Sequence, residues 1–206
     1  MSASDAAWAD ESDAIVRGLA HALSNRILAL GMAGESLDDP DERARADARA
    51  QVRVEAERLA QITRLLKLLP RDGQGRPQAL QLAEVLADAL ALHAHHLELR
   101  DSPVSTAVAA SALPVRVERW ALLRALVLLV AAARRAARDA TSRGGAVVIS
   151  VEGSDEECWV RSEGRLGAPG GDLESLATAM GGRVESDGGL RLVLPSLAAV
   201  RRREGR

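Results

Sequence analysis

A seven-residue apolar repeat constrains this chain most. Val52, Leu59 and Leu66 stand seven apart, and Ala56, Ile62 and Leu69 fill the alternate positions. That is the pattern of a coiled-coil seam along one face of a helix. Upstream, Ile15, Val16, Leu19, Leu23, Ile27, Leu30 and Leu37 recur mostly at spacings of three or four, which draws a second apolar stripe on a helix over 13–37. Between the two stripes lies LDDPDER, Leu37–Arg43. Pro40 is tolerated in the first turn of a new helix, and the acids around it suit the positive end of a helix dipole. Two helices joined by so short a loop form an antiparallel hairpin. A lone hairpin leaves its seam in water, and a second copy covers it. The expectation is a homodimeric four-helix bundle.

The stretch PRDGQGRPQ, Pro70–Gln78, reads as a linker. It divides the chain into a helical hairpin at 1–70, a connection at 71–77 and a second unit at 78–206. In that second unit, 80–97 and 118–140 are helical and 104–110 is extended. GGAVVISVEG and ECWVRSEG form adjacent strands, Asp172–Met180 is a short helix, and RVESDGGLRLVLP is a hairpin turning at Asp187–Gly189. Helices beside a run of antiparallel strands define an α+β fold whose second unit is a two-layer α/β sandwich.

Composition removes several function classes. The chain has three Trp and neither Tyr nor Phe, so its core is Leu, Val and Ala, and it lacks the rings that stack single-stranded bases. A net charge of −2 supplies no basic field for nucleic acid, and Arg201–Arg203 read as a solvated end. One cysteine, Cys158, excludes an internal disulfide and a zinc cluster. The apolar run Trp120–Ala133, interrupted by Arg124, falls short of the ~18–20 residues of a membrane span. The start carries no basic-then-apolar leader. A cytoplasmic protein with no membrane association is expected.

Rotating the first helix by about 100° per residue puts His21 opposite Leu19, Leu23 and Leu30. Asn25, Leu28 and Met32 share its face, and Arg17 flanks it one turn earlier. A surface histidine on a bundle helix is the ordinary explanation. An exposed neutral imidazole is also a nucleophile near neutral pH, and Leu28 and Met32 on an outer face call for something to cover them.

LAHALSNRILAL, residues 19–30, resembles the dimerisation and phosphoacceptor helix of two-component histidine kinases. Their motif is a histidine, an acid, two residues, then Asn or Thr. EAERLAQITRLLKLL resembles the family's second helix. Residues 77–195 resemble its ATP-binding domain, most clearly over LATAMGGRVESDGGLRLVLP. The resemblance implies that His21 accepts a phosphoryl group and that Asn25 supports it or orients a water. It also implies that Arg17, Leu28 and Met32 meet a response-regulator receiver domain. The departures bear on the nucleotide. Ala131 stands where the family has a magnesium-binding Asn, so no side-chain oxygen remains for the metal. Ser162, Gly164 and Leu166 replace the family's Asp-x-Gly-x-Gly box, removing its adenine-binding acid and its second glycine. The glycine-rich lid shortens to GRLGAPGGD, and Ala22 replaces the acid beside the phosphoacceptor.

Other candidates have plainer explanations. His93, His95 and His96 form HAHH, a possible zinc or nickel donor set that a solvated helix end accounts for as well. Cys158 reads as packed, Gly181–Gly182 as a helix stop, and Arg134, Arg135 and Arg138 as a solvated helix face. The reading is a histidine phosphotransfer protein that relays a phosphoryl group between receiver domains through His21. It needs no nucleotide or metal of its own, and Mg²⁺ is expected on the partner receiver only. The alternative is an unphosphorylated, pseudokinase-like module that sequesters, dephosphorylates or scaffolds a response regulator.

Overall fold

Two long helices open the chain, α1 (Ala6–Glu35) and α2 (Glu42–Leu68), packed as a hairpin. The structure is a computed structural model that describes residues 6–69, 75–140, 146–164 and 170–205. Short polar contacts make the break between the helices. The Asp41 carboxylate accepts from the Arg43 amide at 2.9 Å and so caps α2, while Asp39 accepts from the Asp41 amide at 2.8 Å. Each satisfies a backbone donor that the turn leaves free.

The inward register of α2 differs from the one the apolar repeat suggests. Ala48, Glu55 and Ile62 are its buried residues. Val52 and Leu59 are half-buried, and Leu66 and Ala56 are exposed. A charged side chain therefore occupies the inner seam. Its carboxylate accepts from Arg58 at 2.7 Å, Gln51 at 2.9 Å and Arg26 at 3.2 Å, so the buried charge is paired and hydrogen-bonded. The α1 stripe also splits. Ile15 and Leu19 are buried, whereas Val16 and Ile27 are exposed.

The α/β unit contains α3 (Leu82–His93) and α4 (Arg119–Ala140) on a five-stranded sheet. Its strands are β2 (Val104–Val108), β4 (Val147–Gly153), β5 (Glu157–Glu163), β6 (Arg183–Ser186) and β7 (Gly189–Pro195), in the order β2-β4-β5-β7-β6. β2 and β4 run parallel, so the sheet is mixed. That follows from the connection: α4 lies between the two strands in sequence, and such a crossover joins parallel neighbours. β1 (Gln78–Leu80) and β3 (Val115–Val117) pair separately. The Glu118 carboxylate caps α4, accepting from Trp120 at 3.0 Å and Ala121 at 2.7 Å. Leu122, Leu123, Leu126 and Leu129 of α4 are fully buried in the core it shares with α3 and the sheet. A short helix α5 (Gly171–Ala179) packs on α4. The basic end is a helix, α6 (Leu197–Glu204), rather than a solvated tail. Ser196 caps it at 3.0 Å, Ala199 is buried, and Arg202 pairs with Glu156 at 2.6 Å.

A buried polar cluster joins α1 to this unit. Glu11 is 1% exposed and pairs with Arg135 of α4. His96, in the turn after α3, faces it at 3.3 Å. Nδ1 of His96 accepts from the amides of Glu98 and Leu99, each at 3.2 Å, so its proton sits on Nε2, on the side of the carboxylate. Burial would raise the Glu11 carboxyl, but His96 and Arg135 outweigh it and hold it below the ordinary glutamate value. His93 stacks on His96 with centroids 5.3 Å apart and donates from Nε2 to the Val127 carbonyl at 3.1 Å. The HAHH stretch is thus packed interior at His93 and His96, not a solvated end. Arg134 donates to the His93 carbonyl at 2.9 Å, and it too is buried.

Burial, aided by the Arg134 charge, pushes His93 down to about 3, and its Nδ1 has no partner among the described residues. The folded protein keeps this ring neutral, while the unfolded chain takes up a proton near 6.5. Stability is therefore full above that value and declines as pH falls towards the folded one. Between pH 6 and 4 the wild type should lose roughly 1.4 kcal/mol per pH unit more than His93→Phe, read by urea unfolding at each pH.

Candidate functional site

His21 sits in the middle of α1, exposed, on the side turned from the buried Ile15 and Leu19. Helical spacing puts Asn25 one turn on, and its side-chain nitrogen lies 3.3 Å from His21 Nε2. An amide nitrogen only donates. The contact therefore selects the tautomer with its proton on Nδ1 and its lone pair on Nε2, the nitrogen furthest from the backbone. That lone pair accepts from Asn25, and because both side chains are exposed it becomes a free nucleophile once the amide turns aside. Arg17, one turn earlier, pairs with Asp13 at 2.5 Å, both well exposed. Arg17 turns to Asp13 rather than to the imidazole, so the structure joins His21 to Asn25 and leaves Arg17 as a neighbour on the face.

Leu28 and Met32 continue the same face, 65% and 64% exposed. A separate apolar face, about 120° around the helix, carries Val16 and Ile27, 41% and 58% exposed. Six of the eight exposed large hydrophobics among the described residues lie on the hairpin, with Val54 and Leu66 on α2. This concentration is what an unpartnered interaction surface looks like.

The positions that the resemblance alone assigns to a nucleotide are Ala131, Ser162, Gly164 and Leu166. Ala131 is 0% exposed and has no side-chain oxygen. Ser162 is buried, and its hydroxyl donates to the Leu190 carbonyl within the sheet at 3.4 Å. Gly164 follows β5 at φ 116°. Leu166 lies outside the described residues, as does most of the GRLGAPGGD stretch. These side chains do not fit a magnesium–nucleotide. Among the described residues no three His, Cys, Asp or Glu side chains are grouped to hold a metal, and no helix is long and apolar enough to cross a membrane. Burial pushes the Cys158 thiol up, and its Sγ donates to the Leu113 carbonyl at 3.1 Å.

The residues that periodicity alone did not single out are Glu11 and Glu55. Each is a carboxylate at a seam position of an otherwise apolar stripe. Glu11 stands four residues before Ile15, and Glu55 seven before Ile62. That placement was the available signal.

No protein-family model matches the chain, and no curated protein matches it. Among solved structures it is similar to the Acinetobacter baumannii histidine kinase AdeS, at 15% identity over 88% of this chain and 97% of that one, with a TM-score of 0.47. It is also similar to the cytoplasmic segment of the histidine kinase QseC, at 19% identity over 69% and 92%, with a TM-score of 0.44. A third is the histidine kinase domain of the E. coli osmosensor EnvZ, at 18% identity over 60% and 92%, with a TM-score of 0.44.

The tautomer is directly measurable. Long-range ¹⁵N–¹H correlation at neutral pH should place the His21 proton on Nδ1. Asn25→Ala should shift the population towards the Nε2-protonated form. An identical spectrum in the variant removes Asn25 from the site.

Proposed function

We propose that this protein is a histidine phosphotransfer protein of a two-component system, working as a homodimer without ATP. One observation carries the reading: an exposed His21 whose Nε2 keeps its lone pair in a single hydrogen bond from the Asn25 amide, which turns aside for the transfer. In the transfer, that lone pair attacks the phosphorus of a receiver's aspartyl phosphate. A nitrogen–phosphorus bond forms, the phosphorus–oxygen bond to the aspartate breaks, and the carboxylate leaves with the electron pair. Nδ1 holds its proton until water takes it. A second receiver's aspartate reverses the step. The phosphoryl group arrives already activated, so the helix supplies the nucleophile and the docking surface. The receiver's own Mg²⁺ and lysine stabilise the charge in flight. Ala131, Ser162 and the absent acid at Ala22 support a chain that has given up nucleotide chemistry.

Incubation with a panel of phosphorylated receivers from the same genome tests this. The wild type should become labelled with acid-labile phosphate. His21→Gln should fold and sediment as the wild type and take up none. Leu28→Asp should weaken receiver binding tenfold or more, as expected if one large apolar contact worth roughly 1.5–3 kcal/mol is lost. A His21→Gln protein that still accepts phosphate from those receivers sinks the reading and favours an unphosphorylated binding module.

The dimer rests on the apolar residues the hairpin leaves open. Val16 and Ile27 on α1, with Val52, Leu59 and Leu66 on α2, are covered by a second hairpin in a four-helix arrangement. Leu59→Asp places a charge in that dry seam. It should convert a dimer to a monomer in sedimentation at micromolar concentration, while a monomeric wild type contradicts the architecture.

A further inference from the structure

Helix α1 does two jobs along its length. Downstream of His21 it packs on α2. Upstream, Trp8, Glu11, Ile15, Gly18, Leu19 and Ala22 form one stripe, recurring at spacings of three and four, and the α/β unit receives it. Ile15 and Leu19 belong to the common hydrophobic core, with Trp8 and Ala22 packed against it.

The contacts run the length of the stripe. The Ala7 amide donates to Asp172 of α5 at 3.1 Å. Arg124 of α4 lies over the Trp8 ring, 5.3 Å from its centroid. Glu11 pairs with Arg135, also on α4. Gly18 approaches the backbone of His95 so closely that an added Cβ would overlap its carbonyl oxygen.

On α4, Arg124, Leu128, Ala131 and Arg135 fall within about 60° of one another on a helical wheel. Trp8 and Glu11 hold the two ends of that row, and Ala131 between them is fully buried. The buried Glu11 pins the register. A slide by one turn would take its carboxylate away from Arg135 and His96 and leave a buried charge unpaired.

We propose that the α/β unit is an intramolecular helix receptor. The groove made by α4, the start of α5 and the turn after α3 takes residues 7–19 of the chain's own α1 as its ligand, and this docking closes the Ala131 row to any small molecule. The proposal does not depend on whether His21 is phosphorylated.

Two substitutions and two readouts test it in the full chain. In a Cys158→Ser background, Ala131→Cys reports the groove by its rate of maleimide labelling. Hydrogen exchange of amides 7–19 reports the helix. Gly18→Ala separates docking from helix formation, because alanine is the better helix former yet cannot approach His95. Docking predicts at least tenfold faster labelling and faster exchange over 7–19, with β5 and α2 amides unchanged. An undocked helix predicts unchanged labelling and slower exchange, and overturns the proposal. If Gly18→Ala unfolds the chain, Trp8→Ala decides, since it removes an end contact without a clash. Faster labelling at position 131 supports the docked helix, and a wild-type rate overturns it.

Discussion

The Glu11 carboxylate is the point on which the arrangement of the two units turns. It is buried where α1, α4 and the turn after α3 meet, and each supplies one group: the acid, Arg135, and the His96 ring. The two backbone amides on His96 Nδ1 leave that ring one tautomer, with its proton on Nε2, the nitrogen nearer Glu11. Such a cluster adds little net stability compared with a well-packed apolar one, but removing Arg135 or His96 leaves the buried Glu11 carboxylate with less to compensate it. It therefore acts as a key. An apolar stripe alone leaves the register of α1 on α4 loosely set, and the Glu11 charge favours the one that brings it to Arg135 and His96.

From that key the division of α1 follows. One 30-residue helix carries the stripe for the α/β unit, then the residues that pack on α2, and its outer faces carry His21 and two apolar patches. A core of Leu, Val, Ile and Ala suits this, since small aliphatic side chains allow helices to lie close and rely on many modest contacts rather than a few large rings. Gly18 is the extreme case, where the absence of a Cβ lets the His95 carbonyl approach the helix.

Much of this was legible in the amino-acid sequence, for reasons that differ by element. Helical periodicity places His21 outward and Leu19 inward because the 3.6-residue repeat is local. α4 is plain from its long apolar run. The same local signal grouped Val16 and Ile27 with the buried Ile15 and Leu19, and it drew the Val52–Leu59–Leu66 seam without showing that Ala48, Glu55 and Ile62 face the hairpin's interior. Apolar character alone does not say whether a residue meets its own chain or another. The burial of His93, His96 and Arg134 was hidden, because their partners lie 34 to 41 residues away for His93 and Arg134, and 85 for His96 with Glu11. The parallel pairing of β2 with β4 was missed for a similar reason, since strand direction depends on the crossover and not on the strand. In the candidate site, His21, Asn25, Leu28 and Met32 follow from spacing, whereas the His21–Asn25 contact needed side-chain geometry.

Under the proposed function, a phosphoacceptor on a helix held this firmly has consequences for its chemistry. Asn25 selects a tautomer but brings no charge, and Ala22 brings no acid, so the ring relies on its own lone pair. Under the proposed function, the electrostatic stabilisation of the transferring group belongs to the partner. What this chain contributes is position. A nucleophile must be held within a few tenths of an ångström of its line of attack for the full effect of proximity. A rigid helix, clasped upstream by Glu11 and braced downstream by the Arg26–Glu55–Arg58 cluster, meets that demand better than a loop. Discrimination among partners then falls on Leu28 and Met32, where shape and buried area distinguish one receiver surface from another.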